Sequence, residues 1–173
     1  MIYQSRRDFL KETAAAAFTV AIGNDGSSGR ALAQQAGSIP PSEWDYRTTI
    51  ELVEALQSRK MSAVELTDHV ISRIEALDPQ INAVVVRDFD RARDAAKNAD
   101  TALSRGERRS LLGIPMVVKE SFNVAGLPTT WGIPAFKDWT PKEDAVAVKR
   151  LKAAGAVVLG KTNVPLVLGD WQS

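Results

Sequence analysis

The chain has 173 residues, 45% hydrophobic and 25% charged, with 22 Lys+Arg against 21 Asp+Glu and a formal net charge of +1. Such proportions suit a globular domain with a sizeable core, and near-neutrality argues against a nucleic-acid partner held by phosphate neutralisation. The absence of cysteine excludes disulfides, thiolate nucleophiles and Cys-based zinc sites, and a single histidine, His69, excludes a multi-histidine metal centre.

Residues 1–33 differ from everything after them. Arg6-Arg7 stand within Ser5-Arg6-Arg7-Asp8-Phe9-Leu10-Lys11, and an alanine-rich, weakly apolar stretch follows from Thr13 to Ile22. A Gly/Ser segment and Arg30 then lead into Ala31-Leu32-Ala33, a small-x-small cleavage pattern. The paired arginines resemble the bacterial twin-arginine signal, which implies the export machinery as a partner and a periplasmic or secreted product. An amphipathic N-terminal helix with a Gly/Ser linker is the alternative; three parts in the right order favour the signal. Its removal takes away four basic and three acidic residues, leaving 18 of each. No apolar run reaches the roughly 18 residues that span a bilayer, so no stable membrane span is expected.

Residues 34–42 read as a linker, with Ser38-Ile39-Pro40-Pro41-Ser42 at its end. Thr48/Thr49 cap a short helix that aligns Ile50, Val53 and Leu56. Ser62-Ala63-Val64-Glu65 is a capping box opening a second helix. Leu66, Val70, Ile74 and Leu77 form its stripe, and Asp78-Pro79 its expected end. His69 falls on the polar side, facing solvent. Ile81 to Val86 is a β-branched run that predicts a strand. Asp90 to Arg105 predicts a helix with Ala92, Ala95, Ala96, Ala99 and Leu103 inward, close against its neighbour. Arg108-Arg109 is a solvated turn.

The second half changes style. Pro115 to Val118 is an apolar strand entering Lys119-Glu120, and a loop rich in Gly, Pro and Thr runs from Gly126 to Gly132. Glu143 to Ala154 is an amphipathic helix with Ala147, Leu151 and Ala154 inward, closed by a left-handed Gly155. Ala156 to Leu159 is a second apolar strand, followed by Gly160-Lys161-Thr162-Asn163-Val164-Pro165. Strand, loop, helix, strand is a βαβ unit, and uninterrupted apolar strands imply a parallel sheet covered on both faces.

Lys119, at a strand end, stands where α/β proteins often place ligand-facing groups, and alternation puts it on the side of Val117. Partial desolvation would lower an ammonium from its reference pKa of about 10.4 and make it a general base. A solvated lysine at a strand end is the plainer reading, and position alone does not decide between them.

Gly113-Ile114-Pro115-Met116-Val117-Val118-Lys119-Glu120 and Gly126-Leu127-Pro128-Thr129-Thr130-Trp131-Gly132 resemble the lysine-bearing segment of the amidase signature family. The stretch from Glu143 through Ala154-Gly155-Ala156 to Thr162-Asn163-Val164-Pro165 is similar to that family's next segment, and the helices before Gly113 resemble its N-terminal ones. The resemblance implies a fold of N-terminal helices followed by the start of a mixed/parallel sheet, incomplete at the C-terminus, with residues 43–173 the front part of the domain. It also implies hydrolysis of a carboxylic amide C–N bond in a small-molecule substrate, without metal or cofactor. A lysine, a serine in a cis peptide and a nucleophilic serine form the family's triad; Lys119 matches the lysine, neutral at rest and taking a proton through the cis serine. Backbone N–H groups near the nucleophile would hold the oxyanion.

The family's Gly-Gly-Ser-Ser-Gly-Gly segment lies beyond Thr162-Asn163, and the sequence reaches Trp171-Gln172-Ser173 without it. None of Ser104, Ser110, Ser121 or Ser173 has a glycine-rich nucleophile context, so this chain by itself is expected to be inactive. Glu120 stands where the family usually has Asp, and Ile133 where Ser is common. Thr129, Thr130, Thr162 and Asn163 are candidate pocket residues, equally able to serve loop backbone groups alone. Two other readings stand beside the hydrolase: a non-catalytic truncated product or interaction module, and an amidotransferase A-type subunit. The export signal speaks against the second of these.

Overall fold

Helices begin where the sequence supplies caps. In a computed structural model, which describes residues 41–169, α1 (Thr49–Gln57) and α2 (Ala63–Ile81) each open on a complete capping box, Thr48 with Glu51 and Ser62 with Glu65. The expected leader, most of the linker and the last four residues lie outside the described residues. The elements that follow are β1 (Val84–Arg87), α3 (Phe89–Ser104), β2 (Pro115–Lys119), α4 (Val146–Ala153) and β3 (Val157–Thr162), with 3-10 turns at Pro134–Phe136 and Leu166–Leu168.

The sheet has the order β1-β3-β2, with β2 parallel and β1 antiparallel to central β3. The expected parallel pair is therefore present within a mixed sheet. One face carries the main core, where Leu56, Ala63, Leu66 and Ile71 of α1 and α2 and Ala92, Ala96 and Ala99 of α3 meet Val157 and Leu159. Of the alanines expected inward on α3, Ala92, Ala96 and Ala99 are buried and Ala95 is partly so. The opposite face is covered by α4 and the loop after β2, through Val118, Val124, Leu127, Val148 and Val158. Both faces are thus covered, and the fold is mixed α/β. Among the described residues no helix is long and apolar enough to cross a membrane.

Several expectations need correction. In α1 the inward side is set by Leu52, Val53, Ala55 and Leu56, which leaves Ile50 72% exposed on the opposite side. Helix α2 continues past Pro79 to Ile81, because Asn82 takes a left-handed φ of 54° and donates to Asp78 O. Asp78, rather than Leu77, is the buried residue of the last turn: its carboxylate accepts from Ala83 N, Val84 N and Arg87 Nη2. That staple moves the start of the strand from Ile81 to Val84. His69 does not face open solvent; its Nε2 lies 2.9 Å from Asp45 Oδ1, which Arg73 also approaches at 3.2 Å. Helix α4 starts at Val146 rather than Glu143, because Ala145 N donates to Asn123 O and the Asp144 carboxylate accepts from Ala125 N and Lys152. These bonds hold residues 144–145 against the loop, so Val148 is the buried residue of the helix and Ala147 is exposed.

Candidate active site

Strand β2 and strand β3 run in parallel, so both deliver their C-terminal residues to one edge of the sheet, Lys119 beside Thr162. Glu120 N then donates to Thr162 O and ends the ladder. Lys119 lies on the side of Val117, as alternation predicts, and it is exposed. Among the described residues its ammonium has no hydrogen-bond or ion-pair partner. The desolvation expected for a resting base is therefore not supplied by residues 41–169, because β2 is an edge strand with no further element over its end.

The buried lysine is Lys161 instead. It is fully buried, and its ammonium donates to Pro128 O and, at 2.6 Å, to Thr129 Oγ1. Burial pulls it down to about 8, against which the Glu120 carboxylate acts in the opposite sense. A kink in the ladder sets its direction. Met116 pairs with Val158 but Val117 with Gly160, so β3 carries one extra residue at Leu159. Strict alternation would put Lys161 with Val157 and Leu159 against the helices; the bulge turns it to the other face, beside Val118 and Glu120. Gly160 permits this, since a Cβ there would lie 2.1 Å from Val86 O.

Glu120 is 3% exposed, and its carboxylate accepts from Thr130 N and, at 3.0 Å, Trp131 N. Trp131 is left-handed at φ 54°, unusual for a bulky residue, and Gly132 follows at φ 71°. The indole Nε1 donates to Ser121 O at 3.1 Å, and the ring packs edge-on to Phe136 and, at 5.0 Å, against Trp139. An aromatic cluster thus stands beside the segment that carries Lys119.

The four candidate pocket residues divide. Thr129 is buried and committed to Lys161, and Thr130 Oγ1 accepts from Gly132 N. Thr162 pairs with Lys119, while Asn163 Oδ1 accepts from Val164 N. The side chains of Thr129, Thr130 and Asn163 serve nearby groups, and the fold gathers all four residues around the ends of β2 and β3. Sequence reasoning missed Lys161, Glu120 and Trp131. The available signal was a charged residue two positions beyond an apolar run and just past a glycine.

Known proteins are similar to this chain in sequence and fold. A family model described as Amidase matches residues 65–169. The A-type subunit of the glutamyl-tRNA(Gln) amidotransferase from Acidothermus cellulolyticus is 40% identical over 119 residues, covering 68% of this chain and 24% of the relative. Its counterpart in Roseiflexus castenholzii is 43% identical over the same number of residues and with the same coverage. Among solved structures, the peptide amidase of Stenotrophomonas maltophilia superposes with a TM-score of 0.67 at 34% identity, covering 72% of this chain and 26% of that one. A bacterial aryl acylamidase of the amidase signature family gives 0.66 at 30% identity, covering 70% and 26%. The chain spans about a quarter of the length of the curated relatives it matches.

Proposed function

Since the chain belongs to the amidase family, we propose that it contributes the proton-accepting lysine, Lys119, to hydrolysis of a carboxylic amide C–N bond in a small-molecule substrate. The observation that carries this reading is the position of Lys119 at the open, C-terminal end of a parallel strand pair, within the segment from Gly113 to Gly132 that resembles the family's lysine motif. Neutral Lys119 takes a proton, through a bridging serine, from a serine that attacks the amide carbonyl. The C–N bond breaks as the acyl-enzyme forms, and ammonia or amine leaves with the proton returned from Lys119 through the bridging serine. Water then hydrolyses the acyl-enzyme to the carboxylic acid and restores the serine. Because Lys119 is exposed in residues 41–169, its desolvation has to come from further polypeptide or from bound substrate.

From Lys119 to Ser173 no serine stands in a glycine-rich nucleophile setting, so this polypeptide by itself holds a base without an acyl acceptor. The purified chain should release no ammonia from simple amides; Lys119-dependent release would overturn the reading. A chimera tests the positive half: residues 43–169 replace the matching segment of the Stenotrophomonas peptide amidase. It should retain amidase activity and lose about a thousandfold or more of kcat on Lys119→Ala. Full activity of that variant would refute the role of Lys119.

A second reading, an amidotransferase A-type subunit, is favoured by the names of the curated relatives. Residues 1–33 separate the two. We propose twin-arginine export to the periplasm or beyond, so Arg6→Lys with Arg7→Lys should leave the protein uncleaved in the cytoplasm. A wild-type chain that is itself uncleaved and cytoplasmic would favour the amidotransferase. The third reading, a non-catalytic module, draws on the exposed Val146, Leu166 and Val167 and the open edge of β2. A partner-dependent, poorly soluble chain fits it, and a sharp cooperative melt of the monomer counts against it.

A further inference from the structure

Glu120 and Lys161 are buried ionisable groups that the proposed chemistry does not use. Both lie on the face of the sheet away from Lys119, and all four of their side-chain hydrogen bonds go to one loop. Lys161 takes the carbonyl of Pro128 and the hydroxyl of Thr129. Glu120 takes the amides of Thr130 and Trp131. Four consecutive residues are gripped, the first two from β3 and the next two from the end of β2. Burying two charges is costly even when each is well bonded, and the β2–β3 ladder, made of backbone groups, does not require them. What the grip holds is Trp131 in its left-handed conformation, with the indole N–H on Ser121 O, two residues past Lys119.

We propose that Lys161 is a positioning residue for Lys119: with Glu120 it clamps residues 128–131 to the ends of β3 and β2 and, through the Trp131 Nε1–Ser121 O bond, fixes the segment Lys119–Ser121. The proposal rests on the reading of Lys119 as the base, but its test does not need the reaction. Around Lys161 the charged neighbour is Glu120, from β2; β1 offers Val86, and the adjoining β2 position is Val118. The ammonium's depressed proton affinity makes its charge readable near pH 8.

The experiment follows backbone amides and the Trp131 indole N–H by NMR in the full 173-residue chain, from about pH 6.5 to about pH 10. The amides of residues 129–131, those of Lys119–Ser121 and the indole should share one titration step near pH 8. Lys161→Met should abolish that step and speed exchange of the indole N–H about tenfold or more. Two results overturn the proposal: a step that survives in Lys161→Met, or a step confined to the loop with Lys119–Ser121 silent. Should Lys161→Met not fold, Thr129→Val removes one acceptor of the ammonium and should move the midpoint to lower pH; an unmoved midpoint also overturns it. Lys119→Ala should leave the step in place. Failure of the base reading appears only in the chimera's kcat, whereas failure of the clamp appears only here.

Discussion

Replacing Lys161 by methionine should change how the stability of the chain responds to alkaline pH. In the folded chain the ammonium is held at about 8, against an ordinary value of 10.5, because burial disfavours its charged form more than Glu120 favours it. A lowered folded value means that the unfolded chain binds the proton more tightly between about 8 and 10.5. Stability contributed by this group therefore rises with pH across that window, at about 1.4 kcal/mol per unit and about 3 kcal/mol in all. Below pH 8 the penalty of the buried charge is fully present, and methionine lacks it at every pH. The variant instead loses the bonds to Pro128 O and Thr129 Oγ1, a pH-independent deficit of about 1–3 kcal/mol. Urea denaturation of both chains near pH 7 and near pH 9.5 separates the two effects. The advantage of wild type over Lys161→Met should grow by about 2 kcal/mol between those conditions. Titrating groups that do not interact with Lys161 cancel in the difference. Parallel pH dependence in the two chains would refute the argument, since it would mean that Lys161 does not titrate within this window.

Gly160→Ala places a methyl 2.1 Å from Val86 O, a backbone atom that cannot swing aside, so the β1–β3 pairing must shift. A loss of at least about 3 kcal/mol is expected by denaturant titration, and an unchanged midpoint would dispose of the bulge argument. Asp78→Ala strips the acceptor from Ala83 N, Val84 N and Arg87 and should cost about 2–3 kcal/mol. Burial pushes the Asp78 carboxyl up, but Arg87 and the two amides outweigh it and hold it below the ordinary 3.8. Its contribution is therefore present above that value and lost as pH falls through the lowered one; acid melts of wild type and variant should converge there. Ser62→Ala removes one hydroxyl cap from an exposed helix start and should cost only about 1 kcal/mol by the same titration.

Much of the frame was legible because it rests on local physics. Ser62 and Glu65 satisfy each other's backbone groups whatever surrounds them, and Ala92, Ala96 and Ala99 recur at helical spacing on a face that only close packing can use. Val157 to Leu159 is a short, uninterrupted aliphatic run just past a helix-closing glycine, the pattern of a strand covered on both faces. The extension of α2 past Pro79 was not legible, because a carboxylate at Asp78 had first to find the amides of Ala83 and Val84. The start of α4 at Val146 likewise depends on bonds to Asn123 and Ala125, some twenty residues earlier in the chain.

The candidate site divides along the same line. Its chemistry was readable as residue types in order: a lysine at the end of an apolar strand, a Gly-Pro-Thr loop, a Thr-Asn turn, and the family those segments resemble. Which lysine is solvated and which is buried was not. A period of two assigns Lys161 to the helix-covered face, but the one-residue bulge between Val158 and Gly160 turns it beneath the loop opposite Glu120. Lys119, which local pattern makes a candidate for desolvation, stays in solvent because nothing within residues 41–169 covers the end of β2. Sequence alone determines the capped helices, the apolar strands and the order of residue types that marks the family. Tertiary structure decides where each charge is buried, because burial depends on strand register and on contacts between residues distant in the chain.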